Sequence, residues 1–212
     1  MTKNWKRHNL KLKRFEQGLL PNKYIQVAGV DEAGRGPLAG PVVAAAVVLK
    51  KFSFTAKVFD SKKLSCLGRD SAFWEIVENA HIGLGVVKRE VIDEKNILQA
   101  TIRAMQKAVA DLPVEPDYLL VDGRFRRKSF SYPYQDVVRG DQRCFSIACA
   151  SIIAKVVRDN LMDYYDTLYP QYAFNRNRGY YSKDQLAAVK KYGLSPIHRR
   201  SFQPLCAENA NQ

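Results

Sequence analysis

Two adjacent carboxylates begin the segment of this chain whose residue types best suit chemistry. Asp31 and Glu32 follow the apolar run from Tyr24 to Val30 and precede a turn rich in glycine and proline, AGRGPLAGP. Acidic groups at the end of a buried strand can hold a divalent metal, because such ions prefer oxygen ligands. Gly34 and Gly36 lack a Cβ and would let backbone amides come close to a ligand. The segment therefore predicts a metal site beside a ligand-binding turn.

A second predicted strand closes on another acid, Asp122. If the two strands are neighbours, Asp122 faces Asp31 across about 5 Å, and the pair repels unless a cation lies between them. Glu32 would point to the opposite face of a continuing strand, so it joins the site only if the strand ends there. Taken singly, each acid is also typical of a turn or a helix cap. Spacing alone leaves both interpretations open.

A fourth acid must be chosen between Asp141 and Asp159. One predicted helix runs between them and separates them by about 27 Å at 1.5 Å per residue, so that only one can reach the cluster. Asp159 stands four residues after Lys155, which is typical of a surface ion pair. Asp141 follows Gly140 at a strand-to-helix junction. We therefore choose Asp141.

The elements that must position these acids alternate between strands and helices, which is typical of an α/β fold with a mixed sheet. Predicted strands cover Tyr24–Asp31, Pro41–Leu49, His81–Lys88, Tyr118–Val121 and Asp136–Val138, and predicted helices cover Leu67–Ala80, Val91–Leu112, 144–168 and Ser182–Lys191. The first two strands could pair as a hairpin. We expect one folded domain at 23–206, a basic arm at 1–22 and a polar tail at 207–212. The arm is either a short helix on the body or a partly ordered tail.

Composition points to a polyanionic partner. The 212 residues include 34 Lys+Arg against 21 Asp+Glu, which gives a formal net charge of +13 and a pI near 9.6. Nucleic acid is the expected partner, because contacts between cations and phosphates release counterions. The alternative is a solubilising surface without a partner.

The sequence also predicts where the protein works. The longest apolar run, Val42 to Leu49, is far shorter than the roughly 18 residues that span a bilayer, so we expect no membrane segment. The basic N-terminus lacks the long apolar region of a secretory signal, and organelle targeting is the alternative. The four cysteines lack paired spacing, which argues against a zinc site or a disulfide framework and favours a reducing cytoplasm.

A set of sequence blocks resembles, in order, the signature blocks of ribonuclease HII, the type 2 ribonucleases H. The blocks are VAGVDEAGRGPLAGPV (27–42), DSKKLS (60–65), LLVDG (119–123), RGDQ (139–142), ASIIAKVVRD (150–159), RGYYSK (178–183) and PIHRRSF (196–202). They span nearly the whole chain, and their combination is very specific. The resemblance implies a ribonuclease H-like fold: a mixed five-stranded sheet flanked by helices, with further helices at the C-terminus.

The resemblance also implies an activity. Enzymes of this family hydrolyse the RNA strand of RNA–DNA hybrids and nick 5′ of single ribonucleotides embedded in duplex DNA, leaving 3′-hydroxyl and 5′-phosphate ends. These reactions support ribonucleotide removal from DNA and RNA primer removal. We therefore expect such hybrids and duplexes as partners, and two Mn²⁺ or Mg²⁺ ions as cofactor. We also expect a monomer with no obligate protein partner.

Matched residue by residue, the resemblance assigns roles to particular positions. The family's catalytic and metal-binding carboxylates fall on Asp31, Glu32, Asp122 and Asp141. The element that recognises the ribose 2′-hydroxyl falls on Gly34, Arg35 and Gly36, and the tyrosine that stacks on the following deoxyribose falls on Tyr180. For the substrate phosphates we expect Ser61, Lys62 and Lys63, with Arg143, Arg178, Arg199 and Arg200 as weaker candidates.

The chain departs from the usual pattern of the family at several positions. Asn177 and Gln185 stand where many relatives have histidine, which puts the pH dependence of activity in question rather than the reaction. Cys149 replaces a usual alanine and is expected to pack in the core. The chain ends soon after Phe202, so we expect weaker substrate affinity than in relatives with a longer C-terminal extension.

Two other classes of protein compete with this interpretation. A nucleotide-cofactor enzyme is suggested by Gly34-x-Gly36 after a strand, but the fingerprint needs a third glycine where this chain has Ala39. Pro37 also discourages the helix that should follow. A non-catalytic nucleic-acid-binding module would explain the positive charge but not the acids at separate junctions.

Overall fold

A five-stranded mixed sheet organises the part of the chain that the computed structural model describes, residues 2–20, 24–61, 63–125 and 129–202. In chain order the strands are β1 (Val27–Ala33), β2 (Val42–Leu49), β3 (Ala80–Val87), β4 (Tyr118–Asp122) and β5 (Tyr134–Val137). Their order across the sheet is β3-β2-β1-β4-β5. β2 is antiparallel to β1 and β3, whereas β4 is parallel to both β1 and β5. The predicted mixed five-stranded sheet is confirmed.

Helices cover both faces of this sheet, and further helices lie beyond it. In chain order the helices are α1 (Thr2–Leu19), α2 (Cys66–Asn79), α3 (Arg89–Lys95), α4 (Ile97–Ala110), α5 (Phe145–Leu168), α6 (Phe174–Asn177) and α7 (Lys183–Tyr192), with short 3-10 helices at Gly140–Gln142 and Pro170–Tyr172. In the part of the chain that the structure describes, no helix has the length and apolar content that crossing a membrane requires.

β2 shows why the sheet lies between two helical layers. Its sequence, VVAAAVVL, is apolar throughout, which is typical of a strand covered on both faces. Ala44 and Ala46 pack in the core under α4, and Ala45 and Val47 pack in the core under α5. Alternate residues of this one strand therefore pack against the two helical layers in turn.

A smaller apolar cluster joins the glycine turn to the C-terminal helices. Leu38 of the turn packs with Tyr172, Phe174 and Val189. The backbone amides of Leu38 and its neighbour both donate to the carbonyl of Gly179, at 2.7 and 3.2 Å. The turn after β1 is thus fixed from the side of α6 and α7.

The N-terminal segment is a helix that packs on the body. Leu12 is 4% exposed and lies in the core with Phe145 of α5. Asn9 holds the loop before the second sequence block, since its side chain donates to the carbonyl of Ala56 at 2.8 Å and accepts from the amide of Val58 at 3.2 Å. Of the two alternatives for this segment, the structure has the helix.

One long predicted helix is divided. The apolar periodicity from Val91 to Leu112 continues through both α3 and α4, but Asn96 separates them with a φ of 72°. With a ψ of 165° Asn96 is outside the helical region, and its side chain caps α4 by accepting from the amides of Leu98 and Gln99 at 3.0 and 3.1 Å. Periodicity does not detect such a break, because the buried face is the same on both sides of it.

Candidate active site

Two of the predicted acids lie side by side at the carboxyl ends of two central parallel strands. Val30 of β1 pairs with Val121 of β4, so the residues that follow them, Asp31 and Asp122, are neighbours across the sheet. Asp31 is only 5% exposed. Ligands of open α/β sheets bind at this end of the strands. The sheet thus has the strand arrangement on which the predicted acidic pair depends.

Backbone amides orient both carboxylates. The Oδ1 of Asp31 accepts a hydrogen bond from the amide of Glu32 at 2.7 Å, and the Oδ1 of Asp122 accepts one from the amide of Gly140 at 2.6 Å. Gly140 begins a 3-10 helix after Arg139, whose φ of 56° turns the chain sharply. This turn brings Asp141 to the same end of the sheet.

The acids act electrostatically on one another. Burial raises the pKa of Asp31 well above its usual range, and the charges of Glu32, Asp122 and Asp141 raise it further. Like charges at low dielectric oppose each other's ionisation, whereas a cation among them would favour it. Carboxylate oxygens are also the ligands that Mg²⁺ and Mn²⁺ prefer. This set of donors therefore fits a hard divalent ion.

The acids border an open cavity of about 1010 Å³. Its lining comes from the ends of the strands, the glycine turn, the loop before α2, α2, the 3-10 helix at Gly140–Gln142, α5 and the segment after α6. These residues are Asp31, Glu32, Ala33, Gly34, Arg35, Gly36, Ser61, Cys66, Arg69, Asp122, Asp141, Ser151, Lys155, Asp159, Arg178 and Tyr180. Among the described residues, no three His, Cys, Asp or Glu side chains are already grouped to hold a metal ion. The carboxylates thus surround the cavity without closing on one point.

Glu32 reaches this cavity although β1 does not end before it. The strand continues to Ala33, so the expectation that Glu32 joins the site only at a strand end is wrong. The cavity covers the end of β1, and Asp31 and Glu32 both line it. The Oε1 of Glu32 accepts from the Nη1 of Arg35 at 3.4 Å, which places this arginine beside the acids.

Asp141 and Asp159 both line the cavity, although the two differ in their relation to the acidic cluster. The predicted single helix between them is divided, because Asp141 lies in the separate 3-10 helix and α5 begins at Phe145. Asp159 forms the predicted ion pair with Lys155 at 2.7 Å. The charge of Asp141 is among those that raise the pKa of Asp31. Asp141 therefore belongs to the acidic cluster, and Asp159 lines the cavity as the partner of a lysine.

A buried arginine holds the glycine turn from below. The guanidinium of Arg199 donates to the carbonyls of Gly34 at 2.5 Å, Arg35 at 2.9 Å and Gly40 at 2.8 and 3.0 Å. Its side chain is fully buried. The expectation that Arg199 contacts a substrate phosphate is therefore wrong, since its donors are occupied by the turn.

A second buried arginine, Arg158 of α5, holds the other end of the turn. It donates to the carbonyls of Ala39 and Pro41, both at 3.1 Å, and to that of Arg178 at 3.0 Å. Gly34 has a φ of +95°, and a Cβ there would meet the Nε of Arg158 at 2.1 Å. Glycine at this position is thus required by both the backbone conformation and the arginine beneath it.

Gly36 and Tyr180 face each other at the rim. A Cβ on Gly36 would approach only the Tyr180 ring, at an ordinary 3.8 Å, so packing within the protein does not require a glycine there. Tyr180 is 41% exposed, and the Arg158 guanidinium lies 5.8 Å from its ring centroid. The space in front of Gly36 is therefore open to a ligand.

Asn177 and Gln185 are joined to each other by a hydrogen bond. The Oδ1 of Asn177 accepts from the Nε2 of Gln185 at 3.3 Å and from the amide of Gly179 at 2.7 Å. Gly179 in turn accepts from the amide of Leu38 in the glycine turn. Because neither amide side chain titrates, this link between α7 and the turn is independent of pH.

The DSKKLS block meets the cavity only in part. Ser61 lines it, and its hydroxyl lies 3.1 Å from that of Ser151. Lys63 is 55% exposed, lies 3.8 Å from Asp60 and is not part of the lining. Lys62 lies outside the residues that the structure describes.

The cavity is also lined by cationic side chains that the sequence analysis did not propose as substrate contacts. Lys155 and Arg69 line it, and Arg69 donates to the carbonyl of Ser61 at 2.8 Å. Arg178, one of the weaker predicted candidates, lines it too and is paired with Asp163. Lys155 lies within the ASIIAKVVRD block, which could have indicated its place. Nothing in its spacing distinguishes Arg69 from an ordinary helical cation.

The comparisons with known proteins agree with one another. A sequence profile described as Ribonuclease HII matches residues 28–205. Ribonuclease HII of Enterococcus faecalis is 46% identical over 214 residues, covering 96% of this chain and 83% of its own. That of Acholeplasma laidlawii is 48% identical over 192 residues, covering 90% and 94%. The structure of ribonuclease H2 from Pyrococcus horikoshii OT3 matches with a TM-score of 0.74 at 26% identity, covering 88% and 98%. The chain therefore belongs to the ribonuclease HII family.

Proposed function

We propose that this enzyme nicks duplex DNA on the 5′ side of single embedded ribonucleotides and hydrolyses the RNA strand of RNA–DNA hybrids, in both cases with a divalent metal. Its family makes it a ribonuclease H, an endonuclease that acts on RNA–DNA hybrids. One observation carries the finer proposal: a single cavity brings together the four proposed metal ligands, the glycine turn and an exposed tyrosine.

The acids Asp31, Glu32, Asp122 and Asp141 are proposed to hold the metal, Mn²⁺ or Mg²⁺. When bound, a pair of such ions activates a water and stabilises the leaving oxygen of an in-line displacement at phosphorus. The chain's own contribution is orientation. The amides of Glu32 and Gly140 aim one oxygen each of Asp31 and Asp122, and the buried setting of Asp31 makes a cation there favourable.

Recognition of the sugar is proposed to depend on the glycine turn. The 2′-hydroxyl distinguishes ribose from deoxyribose, and the open space before Gly36 lets the backbone approach it. Arg199 and Arg158 hold the turn rigid from beneath, so the approach does not require the loop to reorder. Tyr180, across from Gly36, is proposed to stack on the next sugar, which lacks the hydroxyl.

Cations around the cavity are proposed to bind the phosphates of the substrate. Arg35 is 47% exposed on its side chain and can exchange its pairing with Glu32 for a phosphate. Ser61 and Lys63 remain proposals for the same role, as does Lys62. Together these groups are proposed to hold the phosphodiester that will be cleaved next to the acids.

The wider biology stays at the level of proposal. The reaction suits ribonucleotide removal from DNA and RNA primer removal. A cytoplasmic location fits the cysteines, since Cys66, Cys144 and Cys149 are free thiols. We propose that the protein acts as a monomer without an obligate partner.

The substrate proposal is tested with matched duplexes that differ by one 2′-hydroxyl. With Mn²⁺ or Mg²⁺ present, the duplex with one ribonucleotide should be nicked once, on its 5′ side, and the all-DNA duplex should stay intact. A long RNA–DNA hybrid serves as the positive control for ribonuclease H activity. Equal nicking of both DNA duplexes, or cutting of the hybrid alone, would reject the proposal.

A further inference from the structure

The outer face of α1 carries a row of positive charge that the proposed chemistry does not use. Lys6, Arg7, Lys11 and Arg14 are all exposed. Residues 7, 11 and 14 follow the spacing i, i+4, i+7, so these three lie along one side of the helix. None of the four forms an ion pair with a residue that the structure describes. Their charges are therefore available to an anionic partner.

The row is fixed relative to the active site. Glu16 on the inner face of α1 accepts from the amide of Ser146 at the start of α5, at 2.7 Å. Asn9 holds the loop that leads into Ser61 of the cavity. Leu12 lies in the main core between these two contacts. A ligand bound to the outer face would therefore be held at a constant distance from the acids.

Cations of the body extend the row at both ends of the helix. The Nζ of Lys57 lies 4.5 Å from the centroid of the Trp5 ring, and the guanidinium of Arg143 lies 4.4 Å from that of Phe15. Lys57 stands three residues before Asp60, and Arg143 stands two residues after Asp141. The positive surface thus connects two segments that border the cavity.

The local potential agrees with this arrangement. Burial lowers the pKa of His8, and the charges of Lys57 and Lys11 lower it further. Lys11 of the helix and Lys57 of the body therefore both raise the positive potential at His8. Such a surface attracts phosphates, which neutralise several cations at once.

A membrane surface fits this face less well. An interfacial helix needs a broad apolar side to enter the lipid. The apolar side of α1 is committed to the protein core through Leu12, and Leu10 is the large exposed apolar side chain of the helix, at 44%. A face of cations with one leucine matches the phosphate backbone of a duplex.

We propose that the outer face of α1 binds backbone phosphates of the DNA flanking the cleavage site, as a second contact surface outside the cavity. This inference rests on the proposed function for its partner, a duplex that passes through the cavity. The contact is sequence-independent, because phosphates carry no base information. Its role is to strengthen binding and leave the chemical step unchanged.

The test compares two variants with the same change in charge. One replaces Arg7, Lys11 and Arg14 with glutamine. The control replaces Lys95, Arg103 and Lys107, which are exposed on α3 and α4 over the other side of the sheet. Binding to a duplex with one ribonucleotide, long enough to extend past the cavity, is measured by fluorescence anisotropy in chelator over a series of salt concentrations. An all-DNA duplex is titrated in parallel.

The α1 variant should bind more weakly at low salt, and its slope of log Kd against log salt should fall by about 2 to 3, at roughly 0.9 per lost phosphate contact. The control variant should keep the wild-type slope, and the rate of nicking at saturating substrate should be the same for both. Equal slopes for the two variants, on either duplex, would overturn the inference. If the triple variant lowers the thermal midpoint, Lys11→Gln alone is used, with an expected loss of about 1 in slope.

These slopes remain measurable whatever the enzyme cuts. A wild-type protein that binds with a steep slope but does not nick the ribonucleotide duplex would reject the proposed function and leave the α1 surface standing. A wild-type protein that nicks normally, together with an α1 variant that keeps the full slope, would support the proposed function and reject the α1 surface.

Discussion

The free energy of ionising the Asp31 carboxyl depends on whether a cation is bound beside it. Burial and three neighbouring acids raise its pKa in the folded protein. The unfolded value is about 3.9, so ionisation of Asp31 costs nothing below about pH 4 and its full cost is present above the folded pKa. Without metal, this residue therefore makes the fold less stable as the pH rises. A bound cation favours the charged form and removes the cost.

Asp31→Asn should consequently separate activity from stability. The amide keeps an oxygen for the hydrogen bond from Glu32 but cannot ionise. We expect at least about a hundredfold loss of turnover, or roughly 2.7 kcal/mol in the barrier. In chelator, its thermal midpoint should exceed that of the wild type at pH 8, and this gain should vanish toward pH 4. Circular dichroism at several pH values measures it.

Asp159→Asn is the matched control, because Asp159 is paired with Lys155 and its removal should bring no such gain. Mn²⁺ should raise the midpoint of the wild type more than that of Asp31→Asn. If Asp31→Asn in chelator is less stable than the wild type at every pH, the predicted cost of ionising Asp31 is contradicted.

Arg35→Ala should reduce the preference for a ribonucleotide junction more than it affects folding. The Arg35 side chain is itself 47% exposed and lies 3.4 Å from Glu32, so the loss of stability should be at most about 1 kcal/mol. If the guanidinium binds the adjacent phosphate, kcat/KM on a single-ribonucleotide duplex should fall by about tenfold, or 1.4 kcal/mol. Lys95→Ala is the control cation. An unchanged ratio between single-ribonucleotide and long-hybrid substrates would remove Arg35 from the recognition element.

Individual acids and glycines could be chosen from sequence because their types stand out at strand ends. The roles of Arg158 and Arg199 could not, since a cation in a basic chain is expected at the surface. Their burial becomes understandable only when the carbonyls of the glycine turn are seen to point at them. Strand periodicity alone would have placed Glu32 on the opposite face of β1 from Asp31, whereas both acids line the cavity that covers the end of the strand.

At the scale of elements, α1 acts as a brace between segments that are distant in sequence. Glu16 is buried, is paired with Lys13 at 3.0 Å and accepts from the amide of Ser146 at the first turn of α5. A negative charge at a helix N-terminus is favourable, because the exposed amides there carry partial positive charge. The brace lies close to the start of the helix that follows Asp141.

Glu16→Ala should destabilise the protein by about 2 kcal/mol, which corresponds to roughly 4–8 °C in the thermal midpoint for a chain of this size. Glu16→Gln should lose less, since it keeps an acceptor for the Ser146 amide. Gln17→Ala, on the exposed side of the same helix, is the control and should be nearly neutral. Equal midpoints for Glu16→Ala and Gln17→Ala would show that the cap contributes no stability.

Long apolar strands were predicted closely from sequence, as β2 and its antiparallel pairing with β1 illustrate. Junctions were predicted less well. The positive φ of Asn96 divides one predicted helix, and the 3-10 helix at Gly140–Gln142 separates Asp141 from α5. In both places a local backbone turn, which apolar spacing does not record, decides where side chains lie.

At the scale of the whole molecule, opposite charges are divided between surface and centre. The net charge of +13 contrasts with the acids at the ends of β1 and β4. A basic surface attracts a polyanion, and the small acidic centre attracts a cation. The same cation would also neutralise phosphates of the bound polyanion. The sheet order, with parallel β1 and β4 adjacent, brings together acids that are far apart in sequence. Composition indicated a polyanionic partner, and the topology explains how the acids come to lie at one end of the sheet.

The measurement that tests this account most directly is single-turnover cleavage of a duplex with one ribonucleotide, first in chelator and then as Mn²⁺ or Mg²⁺ is added back. We predict no cleavage in chelator, and full recovery with metal of one cut 5′ of the ribonucleotide, leaving 3′-hydroxyl and 5′-phosphate ends. The Asp31→Asn protein should bind the duplex and stay inactive at every metal concentration. Cleavage that persists in chelator, or a fully active Asp31→Asn protein, would contradict the claim that these acids hold a catalytic metal.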